Sequence, residues 1–389
     1  MSQLDSIFRQ CKSIIGDRVW IEQFGNKLFS IAPDQVPEML AKIVSKQFPG
    51  YLSELGRLEL DLYRIRQTYF KVPDGIEQVT LNPTLRLRQC TWKNLVSFLI
   101  GNGNTLSPNP QIGSEIVMMW KDPENVDVCI EVHSKQILLA LKLVAEGNEI
   151  TEIAKEENVP PVVLKDAIDL AINRGILLAP ESLIRRNVKT LAINTEIPDS
   201  YLRASVFTLQ WHVTQACDLQ CRHCYDRSNR ASLTLADGLK VLSNLDKFCK
   251  KRHVRGHVSF TGGNPLLYPD LNNLYRAASH RGFSISILGN PTDQRRIEDL
   301  IAIQMPVFFQ VSLEGLPEHN DTIRGNGHFD RTIQFLKILN ELEVSSKVML
   351  TLTKDNFNQV LPLSDMLEGI TTDFTFNRLS RIGSGAGLA

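Results

Sequence analysis

Three cysteines, Cys217, Cys221 and Cys224, stand within the segment WHVTQACDLQCRHCYDRS, spaced Cys-x3-Cys-x2-Cys. Thiolates are soft ligands, and thiols packed this closely point to a transition metal. A structural zinc ion takes four ligands, and common iron–sulfur clusters take four thiolates. This segment offers three. His223 lies between two of the thiols, where strain opposes simultaneous binding, and His212 belongs to the residues before the loop. Structural zinc and chance clustering of buried thiols are the bland alternatives. A [4Fe–4S] cluster on three thiolates would keep one iron without a protein ligand, as an open catalytic metal position does. Such an iron can bind and reduce a substrate or cofactor.

The elements that must position these thiols follow a regular pattern. From residue 206 onward, apolar strands alternate with amphipathic helices. The strands are VFTLQWHV (206–213), HVSFT (257–261), FSISILG (283–289), VFFQVSL (307–313), KVMLTLT (347–353) and DFTFNRL (373–379). Thr234 and Asp237 make a capping-box-like start to one intervening helix, and Gly282 ends another. Strands alternating with helices predict an α/β fold with a parallel sheet and right-handed crossovers. Six units are two short of an eightfold barrel, so an open partial (β/α)6 barrel over 206–389 is expected, with its chemistry beyond the carboxyl ends of the strands. The three cysteines directly follow the first strand.

That spacing at that place resembles the radical SAM enzymes. In this family the amino and carboxylate groups of S-adenosylmethionine (SAM) chelate the open iron of a [4Fe–4S] cluster. Electron transfer then splits the sulfonium and yields a 5′-deoxyadenosyl radical. The resemblance implies Cys217, Cys221 and Cys224 as cluster ligands. It extends to three later strand ends and to the stretch beyond the last of them. Gly262, Gly263, Asn264 and Pro265 in TGGNP resemble the GGEP motif beside the methionine amine, with Asn264 where the family has Glu. Asn290 in LGNP matches the polar residue after the third strand. Ser312 and Glu314 in SLEG match a pattern near ribose and methionine, and Arg324 falls near the SAM carboxylate. Tyr225 and His223 flank the last thiol, where the family often has rings that shield the cluster or touch adenine; packing is the bland reading for both. His319 and His328 could serve as general bases; surface histidines in a loop are the bland reading for both.

Ahead of the barrel, residues 1–133 read as a helical region followed by short strands such as EQVTLN and SEIVMMW, with a Gly-, Asn- and Pro-rich loop at GNGNTLSPNPQIG. Residues 134–180 read as helix, helix, helix, strand, a winged-helix-like module, and 181–205 as a linker. The third helix of the module carries Asp166 and Asp169 against Lys165 and Arg174, too neutral a face to track phosphates. Peptide docking suits it better than DNA binding. Lys+Arg and Asp+Glu are both 43, so no global field draws the chain to nucleic acid or anionic membrane. No apolar run reaches the ~18 residues of a membrane span. Four scattered cysteines and no export signal suggest a reduced cytoplasmic setting.

Within the family, SLEG…HNDTIRGNGHFDRT and TLTKDN resemble the SPASM/twitch-related branch that modifies peptides, and the whole pattern is similar to selenobiotic-type peptide maturases. The resemblance implies a ribosomally made peptide with a leader sequence as substrate, and a flavodoxin or ferredoxin as electron donor. That branch usually continues into a domain with further cysteines, whereas none follows Cys249 here, so a fragment or shortened chain is expected. A radical SAM enzyme acting on a small molecule or RNA, and a non-catalytic iron–sulfur redox sensor or peptide-binding protein, stay as alternatives. A sensor needs only the thiols, and the full set of SAM motifs argues against it.

Overall fold

The computed structural model describes residues 3–25, 31–44, 47–101, 108–187, 197–226, 228 and 233–387. Residues 102–107 of the Gly/Asn/Pro-rich loop and 188–196 of the linker lie outside the described residues. The chain divides into two compact units: Met1–Glu149 with Asp166–Pro180, and Ile150–Lys165 with Glu181–Ala389. The segment 134–180, expected as one module, therefore contributes to both.

In the first unit, helices Arg9–Ile15, Asp17–Phe24, Val36–Ile43 and Leu52–Gln67 pack around Phe8, Trp20, Phe24, Leu40 and Leu55. Glu59 is buried among them because its carboxylate has work to do. It accepts from the backbone N–H groups of Gln10 (2.7 Å) and Cys11 (3.2 Å), donors that have no partner inside their own helix. Strands Arg86–Lys93, Gln111–Lys121 and Val128–Val132 form an antiparallel sheet in that order. Helix Lys135–Glu146 starts on Ser134, whose hydroxyl accepts from Ile137 N, and stops at the left-handed Gly147.

The second unit holds the six expected strands: β1 (Val206–Thr214), β2 (Arg255–Gly262), β3 (Ser284–Leu288), β4 (Phe309–Ser312), β5 (Ser346–Leu352) and β6 (Asp373–Arg378). They form one parallel sheet in sequence order, with registers such as His212↔Thr261, Val258↔Ile285, Ile287↔Phe309, Val348↔Val311 and Leu350↔Phe376. Helices α1 (Leu235–Arg252), α2 (Leu271–His280), α3 (Gln294–Ile301), α4 (Pro317–Arg324), α5 (His328–Glu341) and α6 (Val360–Leu367) connect them. Thr234 Oγ1 accepts from Asp237 N and so caps α1 as its sequence suggests.

Alternation along the strands decides where the site lies. Val258, Phe260, Ile285, Ile287, Phe309, Val311, Val348 and Leu350 are at most 1% exposed and build the core against the helices. The intervening residues Gln210, His212, Gln310, Ser312, Thr351 and Asn377 are polar and face a cavity instead. A parallel sheet covered on both faces would be apolar throughout. This one is covered by helices on one face and lines a polar lumen with the other, which is the architecture of an open partial (β/α)6 barrel. Among the described residues, no helix is long and apolar enough to cross a membrane.

Candidate functional site

The loop after β1 is fixed by the end of β2. Gly263 N donates to Thr214 O (2.8 Å) and Asn264 N to Ala216 O (2.7 Å). A side chain at either glycine would collide with this loop: a Cβ at Gly262 meets Thr214 O, and one at Gly263 meets Ala216 O. Gly262 also has φ +145°, which disfavours any other residue. The two glycines thus bring backbone against backbone and set where the thiols begin.

Cys217 is exposed, and Cys221 and Cys224 are half-buried. All three line a cavity of about 650 Å³ at the carboxyl ends of the strands. Every strand contributes: His212 and Gln215 at β1, Thr261, Gly262 and Gly263 at β2, Gly289 and Asn290 after β3, Ser312 in β4, Thr351 in β5, and Asn377 with Arg378 in β6. Tyr225, His223 and Arg324 complete the wall. Among the described residues, no group of His, Cys, Asp or Glu converges closely enough to hold a single metal ion.

Of the positions singled out from sequence, Tyr225, Gly262, Gly263, Asn290, Ser312 and Arg324 line the cavity with the three cysteines. Asn264, Pro265 and Glu314 do not; they are buried behind its wall. Glu314 is 1% exposed, and both its carboxylate oxygens are engaged within the protein. Its Oε1 accepts from Arg324 Nε (2.8 Å) and Nη2 (2.5 Å) and lies 3.3 Å from His223 Nε2, while Oε2 accepts from Thr351 N (2.8 Å). Burial alone would raise this carboxyl, but Arg324, His223 and the Thr351 amide outweigh it and hold the pKa at about 2. The acid therefore stays ionised and orients the guanidinium, whose Nη1 reaches Cys221 Sγ at 3.9 Å. Burial pushes the Cys221 thiol up, and Arg324 opposes that. His223 lines the cavity, tied to Glu314, and Tyr225 reaches across to His212 with 2.7 Å between its hydroxyl and Nε2.

His328 departs from its expected place at the surface. It is 1% exposed, and its Nδ1 accepts from Asn320 Nδ2 (3.2 Å). Asn320 Oδ1 in turn accepts from Glu314 N (3.0 Å), so the ring supports the turn after β4. Burial first, then Arg324 and Arg331, pull the His328 pKa down to about 4. A folded-state value below the ordinary ~6.5 means that the neutral ring is preferred. Its contribution to stability is complete above pH ~6.5 and is lost as pH falls toward 4. Urea denaturation at several pH values should show His328→Gln losing less stability than the parent over that interval; equal losses would refute the assignment.

Sequence reasoning missed the strand residues Gln210, Gln310, Thr351 and Asn377, although the polar–apolar alternation of FTLQWHV and FFQVSL carried the signal. It also missed Asp218, which accepts from two asparagine side chains, and Asn356, whose Nδ2 donates to Glu314 O and Thr351 O (both 2.9 Å).

Residues 211–367 match the family described as the Radical SAM superfamily. This part of the chain is a radical SAM domain. Curated relatives of the domain include Fe-coproporphyrin III synthase of Methanosarcina barkeri, 28% identical over 165 residues, covering 41% of this chain and 40% of the relative. Mycofactocin maturase MftC of Mycolicibacterium smegmatis is 27% identical over 186 residues, covering 46% of each. Sporulation killing factor maturation protein SkfB of Bacillus subtilis is 29% identical over 175 residues, covering 44% of this chain and 40% of the relative. The radical SAM match thus spans less than half the length of each of these proteins.

Proposed function

We propose that the chain is a radical SAM enzyme that matures a ribosomally made peptide. The observation that carries the first half is the three-thiol loop opening on a cavity to which all six strand ends contribute. The residues suit a [4Fe–4S] cluster and SAM: an all-thiol donor set, an amide donor at Asn290 and a guanidinium at Arg324 beside two of the thiols. Cys217, Cys221 and Cys224 would hold the cluster. Gly262, Gly263, Asn290, Ser312, Arg324 and Tyr225 would border SAM, with Asn264, Pro265 and Glu314 holding that border from behind. When bound, the two groups supply reductive cleavage of SAM to a 5′-deoxyadenosyl radical that takes hydrogen from the substrate. The protein's part is to exclude water, orient the substrate and hold Arg324 as a fixed cation.

Two of the relatives are named as maturases, which supports the peptide as substrate. We assign residues 206–389 to catalysis and the preceding part, with the 134–180 segment, to recognition of the leader. A leader can pair as an added strand with an outer strand, Arg86–Lys93 or Val128–Val132, of the antiparallel sheet. A cytoplasmic setting and a flavodoxin or ferredoxin donor complete the proposal. The coproporphyrin synthase among the relatives favours a second reading, a tetrapyrrole-like small molecule as substrate.

The test is anaerobic reconstitution and an assay of 5′-deoxyadenosine with candidate precursor peptides encoded beside the gene. A leader-bearing peptide should raise product formation and bind at least about tenfold more tightly than its leaderless form, a difference of about 1.4 kcal/mol. If peptides have no effect and a tetrapyrrole stimulates turnover, the second reading replaces the first.

A further inference from the structure

One carboxylate outside the expected motif joins the cysteine loop to two strand ends. Asp218 follows the first thiol directly. Its Oδ1 accepts from Asn264 Nδ2 (3.0 Å), beyond β2, and from Asn290 Nδ2 (2.6 Å), beyond β3. The same Asn290 amide lies 3.6 Å from Cys217 Sγ. Asn264 is 3% exposed and Asn290 8%, so both amides are buried polar groups that need partners. Asn264 Oδ1 is committed elsewhere, to Leu266 N (3.2 Å). Its amide nitrogen is the part that faces Asp218.

We infer that Asp218, Asn264 and Asn290 form a polarity-matched clasp that positions Cys217, and that the amide at 264 is required by the acid at 218. A carboxylate at 264 would set an acceptor oxygen against the Asp218 oxygen that now receives an N–H, so the pair would lose its donor. This accounts for Asn264 where a Glu stands in the resembling motif. The clasp is also polar in one sense only: acid on the loop, amides on the strand ends. Inverting one pair, by Asp218→Asn together with Asn264→Glu, restores the contact between 218 and 264. The new loop amide nitrogen would stand where Oδ1 stood and donate to the new carboxylate beyond β2, while Asn290, which faces the same atom, would lose its acceptor. Asp218 is thus a positioning residue acting through Cys217, and the inference rests on Cys217 being a cluster ligand.

The experiment is a double-mutant cycle on the full chain, reconstituted anaerobically: parent, Asn264→Glu, Asp218→Asn and the pair together. The readouts are the rate at which iron is lost to a chelator, the EPR spectrum of the reduced cluster, and thermal unfolding of the metal-free protein. Asn264→Glu should lose iron about tenfold faster than the parent with an altered spectrum, and the double variant should recover a severalfold part of that loss, because groups in one hydrogen-bonded network couple by this order. A metal-free unfolding temperature that moves little in either variant separates positioning from general destabilisation. If Asn264→Glu fails to fold but the pair folds and loads, the coupling stands. If the pair is as impaired as Asn264→Glu, or Asn264→Glu matches the parent, the clasp is wrong. A parent protein that takes up no cluster at all would instead overturn the assignment of the three cysteines.

Discussion

Replacing Cys217, Cys221 and Cys224 together by Ala is expected to abolish both the iron–sulfur chromophore and the formation of 5′-deoxyadenosine. Among the described residues, these three are the only cysteines lining the cavity; Cys11, Cys90 and Cys249 are buried, and Cys11 and Cys90 lie in the cores of the other unit. No alternative thiol can take over. The loop thiols also contribute nothing to the apolar core around Phe260, Ile287 and Phe309, so the metal-free protein should keep its stability to within about 1 kcal/mol. Absorbance after anaerobic reconstitution and product analysis by liquid chromatography give the result directly. Survival of either signal in a folded triple variant would sink the radical SAM reading of this site.

Glu314→Gln should produce the second large effect, and through stability. Arg324 is 10% exposed at its side chain, and Glu314 is its charged partner in the pair. Removing one member of a buried ion pair leaves the other charge desolvated and uncompensated, at a cost of about 3 kcal/mol or more. Glutamine keeps the shape and one acceptor oxygen but not the charge, so a urea midpoint close to the parent's would show that the charge does not matter. The same pair sets an acid limit. Because the Glu314 pKa is depressed to about 2, its contribution is complete above the ordinary carboxylate range near ~4.3 and is lost as pH falls toward 2. The variant should lack this acid-sensitive component. SAM binding, measured on the oxidised enzyme, should weaken as well, since Arg324 loses the group that aims it.

How much of this was legible in the sequence differs by element. Five of the six strands were readable because each carries a buried apolar set, such as Val258 and Phe260 or Ile285 and Ile287, whereas β6 is mostly exposed and was readable from its place in the repeat. Strand Arg86–Lys93 was not. Its residues RLRQCTWK are mostly exposed, with Cys90 alone fully buried, so no hydrophobic period announces it. Motif glycines were readable because no side chain fits between β2 and the cysteine loop. Glu314 was found without its partner: the string SLEG shows an acid at a strand end and says nothing of the arginine ten positions on that it binds. Asp218, Asn320 and Asn356 were invisible for the same reason. Their roles come from neighbours supplied by distant parts of the chain.

The tethers of the cysteine loop have a consequence for the order of events in the cell. Thr214 O is bonded by Gly263 N, Arg222 N donates to Ile323 O, and Cys224 O accepts from Ser384 N. Gly383 packs so closely on this stretch that a side chain there would strike Tyr225 O. The partners lie successively later in the chain, the last of them beyond β6. A ribosome emitting this sequence releases the thiols long before the residues that set their positions, and contacts of such long range close late. Metal loading is therefore expected to wait until the stretch after β6 has emerged, and a nascent chain arrested before Ser384 should carry its three cysteines without a finished place to put iron.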